Sequence, residues 1–443
     1  MCSGPLLSKM MVFAIPVIIT SVLQITYNAA DMVVVGRFAS ENALASVGAT
    51  SQLINLLVGF FNGVAVGASV VAARLYGAGD RAGVNETVHT AVTLSLVCGL
   101  VIGLVGRSIA DWMLERMDTP EDVIGGASEY LQIYFLGTPA LMLYNFSAAL
   151  LRAVGDTRRP MYFPIISGAV NVILNLVFVI GLGMDVSGVA WATAISQYLA
   201  AGMILACMFR SDNCVRLDLR RMRIRRKCAG EIMRIGLPSG IQTSMFAISN
   251  VLIQSGINSF GAAHIAGSSA AGSLEGFISL ATGALYQVNL SFTGQNMGAK
   301  KYDRIERINR IGYLLSLLIW VVLGGAIYLL RNPLMSIFTD DPAVIAAGAE
   351  KMTVLLAGYF FAGTMNSLVG TLRGMGYATV PMISTIVGVC VFRVIWMATF
   401  FTWSPTWTVL FLNYPISWFL VSAAHIVTYY IVRRKVFRPE SAA

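Results

Sequence analysis

Along the chain, stretches made almost wholly of Val, Ile, Leu, Ala, Met and Phe alternate with short breaks rich in Arg, Gly, Pro and Asp. Each apolar stretch runs to about 20 residues or more, enough at a 1.5 Å rise per residue to cross roughly 30 Å of hydrocarbon. The pattern predicts twelve membrane-spanning helices, at 10–35, 44–73, 87–105, 127–150, 162–181 and 189–208, then at 235–259, 268–292, 311–330, 346–371, 380–401 and 408–432. The first stretch is too long, and lacks the cleavage site, for a secretory signal, so it is expected to stay as a helix.

Composition agrees with a membrane protein. Hydrophobic residues are 56% of the 443 and charged residues 12%, against about 25% charged in an ordinary soluble domain. The net charge of +9 is not spread evenly. If every second break shares a side with the termini, 25 of the 31 Lys and Arg fall on that side. The positive-inside rule then places both termini and the central break in the cytoplasm of a bacterial-type plasma membrane. The segment RLDLRRMRIRRK, residues 216–227, reads as a topology anchor and linker touching anionic lipid headgroups. No aromatic residue interleaves its charges, so nucleic acid is not an expected partner. The six cysteines are scattered without a C-x-x-C pair, and neither a disulfide, a metal site nor a cofactor is expected.

An internal repeat organises the chain. RAVGDTRRP, from Arg152, and RGMGYATVP, from Arg373, share the pattern R-x-x-G-x-x-x-x-P at an offset of 221. Pro16 in FAIPVIITS matches Pro238 in IGLPSGIQT at 222, and Gly77-Ala78 matches Gly298-Ala299 at 221. The expected fold is therefore all-α, with twelve transmembrane helices in two parallel six-helix repeats forming two lobes. Residues 1–210 make the first lobe, 211–230 a basic cytoplasmic linker and 231–443 the second lobe. Duplicated bundles of this kind bind substrate at the repeat interface and alternate access by rocking.

Within the first apolar stretch, Thr20, Gln24, Tyr27, Asn28 and Asp31 fall on one helical stripe. An intramembrane acid is a functional-site candidate by default, because the alternative is an expensive charge with no task. The repeat keeps Asn28 as Asn250 but replaces Asp31 with Ile253, so the acid belongs to one lobe only. Asn171 and Asn175, one turn apart, and Thr193 are its candidate neighbours, with oxygens able to hold a proton's hydrogen bonds or ligate a small cation; helix-to-helix glue is an equal reading of these three. Gln24, Tyr27, Asn28, Gln242 and Asn250 are candidates to line a substrate cavity.

Twelve spans, the parallel six-plus-six repeat, the D-x-x-x-x-G end of the first span (Asp31 to Gly36), the two R-x-x-G-x-x-x-x-P breaks and FTGQNMGA from Phe292 together resemble the multidrug and toxic compound extrusion (MATE) family, DinF-like branch. The resemblance covers essentially the whole chain. It implies a cation-coupled antiporter with V-shaped lobes that exports amphipathic, often cationic compounds. It matches Asp31 to the family's first-span acid, and Asn171 and Thr193 to its polar partners. Asn175 stands where many members carry Asp, and the seventh span has Gln242, Asn250 and Gln254 but no acid.

Two further charges lie mid-span, Glu275 and Arg393, and a mutual pair inside the second lobe is expected of them. His425 reads as a packed, hydrogen-bonded histidine. The 21 Met and 10% aromatic content suit adaptable contact with organic cations, although membrane cores are rich in both. The leading expectation is a monomeric multidrug efflux antiporter for small molecules, with membrane lipid around it. Proton coupling is favoured over sodium, because one carboxylate among neutral oxygens suffices for a proton and is a marginal set for a metal ion. Export or flipping of a lipid-linked precursor or metabolite is the alternative. Enzyme chemistry is not expected: three His in all, with no H-E-x-x-H and no G-x-S-x-G.

Overall fold

Twelve long helices carry the chain among the described residues: α1 Leu6–Phe38, α2 Glu41–Gly77, α3 Arg81–Arg116, α4 Glu121–Ala153, α5 Arg158–Gly181, α6 Val186–Phe209, α7 Arg226–Asn258, α8 Ala262–Gly298, α9 Tyr302–Leu329, α10 Pro342–Gly374, α11 Thr379–Phe401 and α12 Trp407–Val436. The structure is a computed structural model and describes residues 1–117 and 119–437, so Arg438 of the basic tail lies outside the described residues. No strand occurs among them. Hydrocarbon offers no hydrogen bonds, so each segment must satisfy its own backbone, which a helix does. Ten of the twelve are long and apolar enough by composition to cross a membrane. The other two, α7 and α8, have the length, at 33 and 37 residues, but their Gly, Ser, Asn and Gln dilute the hydropathy.

The repeated R-x-x-G-x-x-x-x-P motif proves to be a helix stop followed by a helix start. After α4, Gly155 takes φ +100° and donates its N–H to the Arg152 carbonyl, while Asp156 donates to that of Leu151. After α10, Gly376 takes φ +92° and donates to Arg373, while Tyr377 donates to Leu372. Both are Schellman caps, in which only glycine enters the left-handed conformation without strain. Pro160 and Pro381 then fall in the first turns of α5 and α11, where a missing N–H costs nothing.

By contact, the chain divides into two compact units: Ile15–Gly240, and Met1–Ala14 together with the chain from Ile241 on. The expected lobes, 1–210 and 231–443, differ from these at two places. Met1–Ala14 groups with the second half because Phe13, for one, meets Phe292 edge-on at 5.8 Å. The start of α7 groups with the first half because of glycine packing against α2. A methyl group on Gly236 would meet the Val64 carbonyl oxygen at 2.5 Å, and one on Gly240 would meet that of Phe60 at 2.7 Å. Gly63 and Gly67 face this pair in return, so two G-x-x-x-G faces bring the backbones together as small residues do in membranes.

The basic linker is strapped to the start of α3. Asn85 Nδ2 donates to the carbonyls of Cys214 and Arg216 at 3.1 and 2.8 Å, and His89 Nε2 accepts the Asp218 N–H at 3.0 Å. Arg225 pairs with Glu86 at 2.9 Å.

Close packing predicts an asymmetric response to methyl addition. Gly236→Ala should lower the melting temperature in detergent, as overpacking of about 1–3 kcal/mol would. Gly230→Ala on the same helix, where an added methyl meets nothing within 4 Å, should leave it unchanged or raise it. Equal effects at the two positions would reject the packing account.

Candidate functional site

The α1 stripe meets α5 at Asp31. Asn175, fully buried on α5, donates its Nδ2 to Asp31 Oδ1 at 2.5 Å and to Asn171 Oδ1 at 3.4 Å. Both neighbours are acceptors, which fixes the amide with its nitrogen toward them. Its Oδ1 is left buried without a partner. No basic side chain lies within 4 Å of the carboxylate among the described residues, so a half-buried acid lies beside an amide whose oxygen has no partner.

Tyr130, on α4, was not singled out in the sequence. Its phenol lies near both Asp31 and Thr193 on α6, which brings four helices to the acid. Tyr134, one turn along α4, stacks on Tyr130 with centroids 6.3 Å apart and reaches Gln197 on α6. Around them Val34, Val35, Val179, Val189 and Ala190 form an apolar cluster. The available signal was the four-residue spacing of two tyrosines on one face of the fourth apolar stretch.

The candidate cavity residues divide. Gln24 and Asn28 are exposed on α1. Tyr27 is instead held on α5, its hydroxyl donating to the Ile165 carbonyl at 3.1 Å and its ring against Gly168. Gln242 does not line an open surface: it is buried, donates to Thr385 Oγ1 at 3.1 Å and accepts from Arg373 Nη2 at 2.8 Å. It braces the arginine of the second R-x-x-G motif, whose Nη1 also donates to the Tyr286 hydroxyl. Asn250 is exposed and accepts from Arg393.

The expected Glu275–Arg393 pair is absent. Glu275, on α8, pairs with Lys351 of α10 at 3.3 Å, and Lys351 Nζ also donates to the Ser268 carbonyl at 3.0 Å. Arg393, on α11, turns to α7, donating to Asn250 Oδ1 at 2.9 Å and Ser249 Oγ at 3.3 Å. The reason is packing: α8 lies directly along α10, with a methyl on Gly267 due to meet the Val344 carbonyl at 2.6 Å. Lys351 was not singled out in the sequence; it lies nine residues into α10, roughly 14 Å from its start. His425 is fully buried with Nε2 2.9 Å from Ser384 Oγ.

No group of three or more His, Cys, Asp or Glu able to hold a metal occurs among the described residues. What the first unit offers a small cation or a proton is one carboxylate tied to Asn175, with Asn171 behind that amide and Thr193 beside Tyr130.

A duplicated bundle of twelve long helices, ten of them apolar enough to cross a membrane, defines a multi-pass membrane protein, and the family match below makes it a transporter and not an enzyme. The profile described as MatE matches residues 16–177 and again 238–399, and the chain belongs to that family. The two matched stretches stand 222 residues apart, as the repeat requires. Among similar proteins, the probable multidrug resistance protein YoeA of Bacillus subtilis is 27% identical over 85% of this chain and 83% of its own length. The probable multidrug resistance protein NorM of Thermotoga maritima is 26% identical over 85% and 82%. The multidrug export protein MepA of Staphylococcus aureus is 22% identical over 84% and 82%. An outward-facing multidrug resistance MATE transporter superposes with a TM-score of 0.89 over 98% of this chain and 96% of that one, at 22% identity. A transporter from Pyrococcus furiosus gives 0.84 over the same shares.

The corrected pairing has a thermodynamic signature. Glu275→Gln or Lys351→Met alone should each destabilise by about 3 kcal/mol, since either strands a buried charge. The double variant should lose less than the two together, as read by detergent melting in a double-mutant cycle. The same cycle on Glu275 and Arg393 should give no coupling; the opposite ranking would restore the original pairing.

Proposed function

We propose that the chain is a cation-coupled multidrug efflux antiporter exporting small amphipathic compounds by alternating access, with Asp31 as the coupling acid. The observation that carries this reading is the carboxylate inside α1, tied to Asn175 and left without a basic partner. The similar proteins named for multidrug resistance or export support the substrate class. A structural acid would be matched by a cation, as Glu275 is by Lys351. An acid matched only by amides keeps a charge that an incoming cation can neutralise, and ligand and ion then favour opposite conformations.

Proton coupling suits this site better than sodium. Asn175 beside Asp31 is an amide, which leaves one negative charge, and sodium needs several oxygen ligands with enough charge to offset dehydration. A lipid-linked pyrophosphate would call for several cations at mid-span, and Lys351 is already committed to Glu275. That favours drug-like substrates over the flippase alternative.

In everted vesicles, Asp31→Asn should insert normally and lose gradient-driven efflux of an organic cation, because the amide keeps the shape but exchanges no proton. Native protein should transport in sodium-free vesicles under an imposed pH gradient. Uphill export by the Asn variant would refute the role of Asp31, and transport only under a sodium gradient at equal pH would refute the ion.

Topology has its own check. Cysteines introduced at Glu115 and Asp340 should react with impermeant thiol reagent added outside intact cells, with 25 of 31 basic residues on the opposite side. Labelling only after permeabilisation would reverse the orientation.

A further inference from the structure

Arg393 is a cation in the same predicament as Asp31. Its side chain is 1% exposed at mid-helix in a membrane span, and no carboxylate lies within 4 Å of it among the described residues. The mid-span acid of its own unit, Glu275, is taken by Lys351. Neutral groups hold one end: Nη1 donates to Asn250 and Ser249, and the guanidinium carbon stands 4.1 Å over the Tyr414 ring. Nε is buried without a partner. The Nε edge of a guanidinium offers two parallel N–H donors, the geometry that matches a carboxylate. Helix-to-helix glue needs no permanent charge, and an amide would serve as well between α7 and α11.

Repeat symmetry places the two charges in corresponding contacts. Asn250 answers to Asn28 at the offset of 222, and Arg393 falls opposite Asn171 or Val172 at 222 or 221. So α1 with α5 holds an unmatched anion, and α7 with α11 an unmatched cation. The backbone is also special there. Arg393 sits in one α-helical turn, Phe392–Trp396, between π-helical segments Ile386–Val391 and Met397–Phe401. On α5 the π-helical segment Leu176–Gly181 begins directly after Asn175. Such widened turns recur at functional sites. Asn250 is exposed on α7, so the contact runs from the surface of the unit to the guanidinium.

We propose that Arg393, presented by Asn250, binds a carboxylate carried by the transported molecule and so sets a preference of this protein for free carboxylates over their esters. This rests on the export reading above. The anion that Arg393 lacks within the chain arrives as the carboxylate of the substrate, and an ester of the same molecule cannot supply it.

The test uses a pair differing only in that group: rhodamine 110, with a free carboxyl, and its methyl ester rhodamine 123. Binding to purified full-length protein is read by fluorescence polarisation, and export in everted vesicles. Native protein should bind the acid about tenfold more tightly than the ester, as a charge-assisted hydrogen bond provides. Arg393→Gln should abolish that preference, lowering the affinity for the acid about tenfold toward that for the ester; Arg393→Lys should retain part of it. Asp31→Asn should stop export of both dyes and leave the binding preference intact. Equal affinity of native protein for acid and ester overturns the proposal, as does an Arg393→Gln variant that weakens both alike. A native protein that prefers the acid through Arg393 yet exports neither dye upholds this site and refutes the efflux reading.

Discussion

In hydrocarbon a polar group finds a partner inside the protein or destabilises the fold, and the rest of this structure follows from that constraint. The backbone answers with helices, and at the ends of α4 and α10 with Schellman caps built on Gly155 and Gly376. Side chains answer locally. Serines and threonines bond back to their own helices, Gln242 braces Arg373, and Lys351 neutralises Glu275. Against this background Asp31 and Arg393 stand out, each inside a span with no oppositely charged partner within 4 Å among the described residues.

Those two groups mark where the duplicated frame diverges. Both halves keep the caps, the prolines of α1 and α7, and the Asn28 and Asn250 positions. They diverge at the helix contact most suited to function, where Asp31 meets Asn175 in one half and Arg393 meets Asn250 in the other. A frame that repeats while its charges change sign separates support from chemistry. The close approach of α2 to α7 and of α8 to α10, set by glycines, provides the support. The π-helical segments of α5 and α11 lie beside Asn175 and Arg393.

The sequence alone determined the class of fold, because hydrophobic length is read against a fixed slab thickness and needs no knowledge of neighbours. It likewise exposed the duplication, since motif offsets are one-dimensional, and it singled out Asp31, since an acid in an apolar run is conspicuous. Asn175 was legible as a companion because polar residues are rare in such helices, while Asn171 connects to the acid only through Asn175 and Thr193 only through Tyr130. Tertiary structure decided who meets whom. Glu275 found Lys351 and not Arg393 because α8 lies along α10, a choice of neighbour that no periodicity encodes. Gln242 became a buried brace and Tyr130 a neighbour of the acid for the same reason. The starts of α1 and α7 group with the opposite halves because Phe13 meets Phe292 and the α7 glycines meet α2. Helix length and polarity are properties of a segment, whereas a contact depends on the rotation and crossing of two, and only packing fixes those.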